Sequence, residues 1–140
     1  MNQKTVVLNT VEMISQLMGE LESKAFEQEG FSEITMHQML YLETIGRLGE
    51  PTFGELADHL GVTRPSVSGL IKKLIKLGYV EKNQSSEDGR VYYLKLSEIG
   101  LRFNVLHNEV HQLLAHRITK NLDQNEINAL EGLLEKITTD

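Results

Sequence analysis

The sequence has no cysteine, no tryptophan and only two prolines, and its acidic side chains outnumber the basic ones, 20 to 14. Without cysteine there is no disulfide, no thiolate zinc site and no thiol redox switch. No apolar run approaches the length of a membrane span, and the opening MNQKTVVLNTVEM lacks the charged and apolar regions of a signal peptide. A cytoplasmic protein with no membrane partner is expected. Also missing are a glycine-rich phosphate loop, a nucleophile-elbow pattern and a His-Glu-x-x-His motif. The carboxylates are spread along helical faces, as solvation alone requires. Neither catalytic residues nor a bound cofactor is expected. What remains is a chain of 140 residues, 40% apolar and 24% charged, which fits a single globular domain over 1–140.

The stretch from Thr52 to Tyr79, TFGELADHLGVTRPSVSGLIKKLIKLGY, organises the rest. Thr52 stands three residues before Glu55, the capping-box spacing at a helix start. Leu56, Ala57 and Leu60 follow as a short apolar face, and Gly61 suits a left-handed exit from the helix. Val62 plugs the turn and Thr63 is placed to cap a second helix. Pro65 falls in that helix's first turn, where a missing N–H costs nothing. Val67, Leu70, Ile71, Leu74 and Leu77 line one face of this helix, and Gly78 ends it. The opposite face carries Pro65, Ser68, Gly69, Lys72 and Lys76, with Ser66 and Lys73 on its flank. Ala57, Gly61 and Val67 supply the small–glycine–β-branched spacing that lets two such helices cross closely. This is the pattern of a helix-turn-helix. The plain alternative is an αα-hairpin with a solvated polar face. Against it, Thr63 to Tyr79 contains no acidic residue in a chain this acidic. A protein-docking winged helix is a further alternative, but it would expose apolar or aromatic anchors along 63–76, and none is present.

The formal net charge of −6 opposes a nucleic-acid partner until its distribution is considered. Residues 63–90 hold Arg64, Lys72, Lys73, Lys76, Lys82 and Arg90 against Glu81, Glu87 and Asp88, a local net of +3. The remainder carries −9, so positive charge is concentrated where the motif expects a phosphate backbone.

Taken in order, residues 5–28 read as a helix with Val7, Val11, Ile14, Leu17, Met18, Leu21 and Ala25 on one face, interrupted by Gly30. Thr35 with Gln38 forms a second capping box, opening a helix that buries Met36, Met39, Leu40, Leu42 and Ile45. Gly46 to Pro51 reads as a loop. Beyond Gly78, Tyr79–Lys82 is short and extended, residues 83–89 form a loop with Asp88-Gly89 as a tight hairpin turn, and Arg90–Leu96 is the returning strand. A hairpin there is a wing, carrying Arg90 beside the duplex toward a phosphate or a narrow minor groove, and the plainer alternative, that Asp88 and Arg90 pair to hold the turn, is compatible with it. Ser97 caps a helix from Glu98 to about Lys120, with Ile99, Phe103, Leu106, Val110, Leu113, Leu114 and Ile118 on one face. Asp123 with Glu126 starts the last helix. The expected fold is mainly α with a small β-hairpin wing: a winged helix-turn-helix over 35–96, with dimerisation helices at 5–28 and 98–138. The terminal apolar faces exceed what a winged helix buries, so a symmetric homodimer presenting two recognition helices is expected.

With these pieces on the page, the chain resembles the multiple-antibiotic-resistance regulator (MarR) family. The resemblance rests on LADHLGVTRPSVSGLIKKLIKLGYVEK (56–82), the Asp88-Gly89-Arg90 wing, LSEIG (96–100) in place of the family's Leu-Thr-x-x-Gly, and ITMHQMLYL (34–42) at the helix entry. It covers nearly the whole chain. It implies a dimeric regulator of transcription, often a repressor, that binds a double-stranded operator of two half-sites. Such a regulator releases DNA when a small-molecule effector binds between its dimerisation and DNA-binding regions. On the resemblance, Arg64, Pro65, Ser66, Ser68 and Gly69, following the cap Thr63, face the major groove, and Arg90 is the wing arginine. The family's cysteine-based sensors are excluded.

His107 and His111 lie four apart on one helix, so they share a face that could grip a metal. The family's zinc-sensing branch places histidines near here, joined by His and Glu from the N-terminal helices. His37 and Glu22 are the complements in this chain, although His37 stands about one turn from the expected position. An organic effector is the first expectation and zinc the alternative.

Overall fold

A computed structural model of the chain describes residues 2–31 and 33–139. It contains α1 (Gln3–Glu29), α2 (Met36–Leu48), α3 (Phe53–Leu60), α4 (Arg64–Lys76), β1 (Val80–Gln84), β2 (Tyr92–Leu96), α5 (Glu98–Thr119) and α6 (Gln124–Thr138). The fold is mainly α with a two-stranded antiparallel hairpin. The chain divides into two compact units, Phe26–His107 and Met1–Ala25 with Asn108–Asp140.

The unit Phe26–His107 holds the winged helix-turn-helix. Its core is Tyr41, Leu42 and Ile45 of α2, Leu56 of α3, Val67, Ile71 and Leu74 of α4, Val80 and Leu94 of the hairpin, and Phe103 of α5. Each such apolar side chain removed from water contributes roughly 1.5–3 kcal/mol. The helix starts are fixed locally. Thr35 and Gln38 close one capping box, and Thr52 and Glu55 another, each side chain bonding the other's backbone N–H. Gly61 ends α3 in the left-handed region at φ +65°.

Three expectations about the helices change. Gly46 lies inside α2, which runs to Leu48, and not in a loop. A Cβ there would stand 2.5 Å from Asn104 Nδ2, which donates to the Leu42 carbonyl at 2.9 Å, so the glycine admits α5 against α2. The buried face of α2 is Gln38, Tyr41, Leu42 and Ile45, with Thr44, while Met36 is 81% exposed and Leu40 points outward. Gln38 turns inward because its amide serves the cap, and Thr44 bonds back to the Leu40 carbonyl. Leu77, expected on the buried face of α4, lies beyond the helix end and is exposed.

The hairpin pairs Val80 with Leu96 through Gln84 with Tyr92. A two-stranded hairpin alone is marginal in water. Here β2 is held on its other edge too, by a bridge from Thr52 to Tyr93 and by Leu94 N–H donating to the Pro51 carbonyl at 2.8 Å. The strands reach Gln84 and resume at Tyr92, so the connection is a seven-residue loop over 85–91 and not an Asp-Gly two-residue turn. Gly89 is absent from the glycines with positive φ. The turn instead spans Asp88 to Val91, closed by Val91 N–H on the Asp88 carbonyl, with Asp88 in the first position where its carboxylate accepts from Arg90 N–H.

The strand-to-helix junction explains LSEIG. Ser97 Oγ donates to the Gly78 carbonyl and accepts from Gly100 N–H, while Ser97 N–H bonds the Tyr79 carbonyl. A Cβ on Gly100 would overlap that same Tyr79 oxygen. Phe26, Phe31, Tyr79 and Phe103 form an aromatic cluster with centroids 5.2–6.4 Å apart, and His107 lies against Phe26 and Phe103.

In the other unit, the capping box of Asp123 and Glu126 starts α6, which buries no residue. Val7, Val11 and Ile14 of α1, Leu113 of α5 and Leu133, Leu134 and Ile137 of α6 are exposed in the single chain. Among the described residues no helix is long and apolar enough to cross a membrane.

Candidate nucleic-acid interface

The sequence of α4 divides it sharply into two faces. Val67, Ile71 and Leu74 are buried, while Thr63, Arg64, Pro65, Ser66, Ser68, Gly69, Lys72, Lys73 and Lys76 are all exposed. Thr63 caps the helix by accepting from Ser66 N–H, and its hydroxyl also meets Ser66 Oγ at 2.9 Å. The Ser66 hydroxyl is therefore oriented by the cap. Pro65 occupies the first turn, as its sequence position requires.

Charge on this face is uncompensated. Among the described residues no carboxylate forms a salt bridge with Arg64, Lys72, Lys73 or Lys76. Two acids of the wing have partners of their own. Glu81 faces Lys95 at 3.8 Å, and Asp88 binds Arg90 through Nε at 3.2 Å and a terminal nitrogen at 3.3 Å. The Arg90 side chain is nevertheless 92% exposed at the wing tip. These hydrogen bonds, from the Arg90 side chain first and its backbone second, hold the Asp88 carboxyl below the usual carboxylate range.

Two hollows flank the helix. One, of about 350 Å³, has Phe53, Ile71 and Ile75 as its apolar lining, with Ser68, Lys72 and Lys82 around it. Lys82 also lies over the Tyr92 ring, 4.9 Å from its centroid. The other, of about 300 Å³, is lined by Thr52, Phe53, Gly54, Arg64, Arg90, Val91 and Tyr92. Arg64 and Arg90, 26 residues apart in the chain, thus line one cleft. Phe53, Gly54 and Tyr92 are not singled out by the sequence pattern, and Lys82 enters it only through the local positive charge, although an isolated glycine within a helical stretch, as at Gly54, signals a packing reason.

The histidines fall elsewhere. His107 and His111 are one turn apart on α5. In the unit of terminal helices, a Glu22 carboxylate oxygen and a His111 ring nitrogen lie within 4.8 Å. His37 is exposed on α2 beside Tyr41.

A sequence model of the MarR family matches residues 32–91, the span that carries both helices of the motif and the wing. The transcriptional regulator TcaR of Staphylococcus aureus is 31% identical over 108 residues, 75% of this chain and 70% of that protein. The chain belongs to the MarR family. Members of the family are transcriptional regulators and not enzymes, and this member carries the family's DNA-binding winged helix-turn-helix. A mutant MarR from Escherichia coli complexed with operator DNA is similar at 26% identity, with 99% of this chain and 97% of that one covered and a TM-score of 0.62. FabT of Streptococcus pneumoniae, solved in complex with DNA, shares the fold at 21% identity with a TM-score of 0.82, over 97% of this chain and 94% of that one.

Proposed function

We propose that this MarR-family protein is a cytoplasmic repressor that binds a pseudo-palindromic operator as a homodimer. The observation that carries this reading is the exposed face of α4, where small residues occupy the N-terminal half, unpaired lysines the C-terminal half, and carboxylates are absent. Ser66, Ser68 and Gly69 approach base edges, while Lys72, Lys73 and Lys76 follow the backbone. The 35–96 region binds DNA, and the helices at 5–28 and 98–138 dimerise through their exposed apolar residues. Release comes from an effector, a small organic ligand. The test is selection of duplexes from a random pool, followed by footprinting. Two protected half-sites about one helical turn apart are expected, and uniform weak binding to every duplex would overturn the reading.

A second reading has its own observation, the approach of Glu22 to His111, with His107 one turn away on the same helix. In this reading zinc bound at Glu22 and His111 sets DNA affinity. A His107→Ala, His111→Ala double variant then loses any zinc-dependent change in operator affinity. Stripped wild type that binds equally well with and without zinc rules this reading out.

A further inference from the structure

We propose that Thr63 is a positioning residue for base readout: its hydroxyl holds Ser66 Oγ in place, and Ser66 discriminates at one base pair of each operator half-site. The inference rests on the DNA-binding function proposed above and assigns one of its contacts.

The pairing follows from four consecutive residues, Thr63-Arg64-Pro65-Ser66. An N-cap side chain accepts from the N–H of the second or third helical residue. In α4 the second is Pro65, which has no N–H, so the cap is left with Ser66 as its partner. Thr63 Oγ1 accepts from Ser66 N–H at 3.3 Å. The same approach sets the Ser66 hydroxyl 2.9 Å from Thr63 Oγ1. Thr10, Thr44, Thr119 and Thr138 instead bond back to the carbonyl four residues earlier, the usual course of a hydroxyl inside a helix. Ser66 and Ser68 are both exposed, but the Ser68 hydroxyl has no hydrogen-bond partner among the described residues. Of the two serines on this face, Ser66 is the one that is held.

A serine side chain has three staggered rotamers and a hydroxyl proton that turns to suit its partner. A contact that needs one of those states costs less when the free protein already occupies it. Whichever of the two hydroxyls donates, Ser66 Oγ keeps capacity for a further partner. As donor it retains lone pairs, and as acceptor it retains its proton. Serine can meet either kind of group on a base edge. The N-terminal residues of a recognition helix are the ones that reach those edges. The plainer role, in which the pair only starts the helix, gives a different experimental outcome.

The experiment uses the full chain and a duplex that the wild type selects from a random pool. Each base pair of one half-site is changed in turn, and the affinity ratios form a discrimination profile. Each profile is a ratio within one variant, so any loss of stability common to all duplexes cancels. Ser66→Ala should lower discrimination at one base pair by roughly threefold to tenfold and leave the rest of the profile unchanged. Thr63→Gly removes the hydroxyl, yet glycine caps a helix nearly as well as threonine. It should lower discrimination at that same base pair, with a melting temperature close to that of wild type. Thr63→Ser keeps the hydroxyl and should keep the wild-type profile. The double variant Thr63→Gly, Ser66→Ala should lose no more discrimination there than Ser66→Ala alone. Any base pair at which Ser68→Ala acts should keep its discrimination in Thr63→Gly.

A Thr63→Gly profile equal to that of wild type makes Thr63 a helix cap only and overturns the proposal. Loss at a base pair that Ser66→Ala does not affect shows a separate contact by Thr63, which also overturns it. So does a Ser66→Ala variant with the wild-type profile. A wild type that selects no duplex defeats the DNA-binding function itself. A sequence-selective wild type with any of the three preceding results defeats only the positioning role.

Discussion

Asp88 grips Arg90 from both ends of its carboxylate, Oδ1 accepting from the backbone N–H at 3.0 Å and from Nε at 3.2 Å, Oδ2 from a terminal nitrogen at 3.3 Å. The pair closes the wing turn and aims the arginine at once. Because these bonds depress the Asp88 pKa, their contribution is present above the ordinary carboxylate range. It is lost only as pH falls through the lowered folded value. An NMR titration of the Asp88 carboxyl should give a midpoint below the usual value of about 3.9. Arg90→Ala should bring the midpoint back up. A wild-type midpoint at or above the ordinary value would contradict the pairing in solution.

The lysines of α4 should act through counterions. Alanine at Lys72, Lys73 or Lys76 removes one contact per subunit and hence two per dimer. The slope of log affinity against log salt should fall by roughly two, with the operator preference intact. A bulky residue at Ser66 or Ser68 should instead change the specificity ratio. An unchanged slope in all three lysine variants would take the basic face off the DNA.

Gly69 separates stability from binding. It lies in the helix interior with nothing within 4 Å of a built Cβ. Gly69→Ala should therefore stabilise the protein by roughly 0.5–1 kcal/mol through helix propensity. Where the helix face presses on a duplex, the same methyl should weaken operator binding. Denaturant melts and DNA titrations of one variant should move in opposite directions, and unchanged affinity would show that the duplex does not approach this residue.

Two glycines at close contacts should differ in cost. At Gly100 a methyl meets the Tyr79 carbonyl, part of a backbone that is also bonded to Ser97 and cannot yield. Gly100→Ala should cost about 2–3 kcal/mol. At Gly46 the obstacle is the Asn104 side chain, which can rotate at the loss of one hydrogen bond, about 1 kcal/mol, while helix propensity returns a similar amount. Gly46→Ala should be nearly neutral in urea unfolding. Equal costs for the two would show that the Tyr79–Gly100 approach is looser than the geometry requires.

The exposed apolar residues of α1 and α6 predict a dimer. Sedimentation equilibrium at micromolar concentration should give about twice the 15.9 kDa chain mass. Ile137, 76% exposed in the single chain, should become a monomerising position when changed to Glu. A wild-type monomer at that concentration would leave the two-half-site proposal without its symmetry.

By itself the sequence determined whatever is settled within a few residues. The caps at Thr35, Thr52, Thr63 and Asp123 form as their spacing requires, because a hydroxyl or carboxylate three residues from an N–H needs no distant partner. The two faces of α4 were equally legible, since helical periodicity separates Val67, Ile71 and Leu74 from the lysines. The tertiary structure decided what depends on approach from far along the chain. Gly46 resembles a loop glycine until Asn104 arrives from 58 positions away. Met36 and Leu40 are as apolar as Leu42, and only packing against the rest of the unit selects Tyr41, Leu42 and Ile45 for the core. The Asp88-Gly89 pair suggests a two-residue turn, but hydrogen bonds from Arg90 and Val91 move Asp88 to the first position of a longer one. Arg64 and Arg90 share a cleft only because α3, α4 and β2 converge there. Local rules carry no information about which distant surfaces meet, and the burial of apolar area that brings them together is not directional.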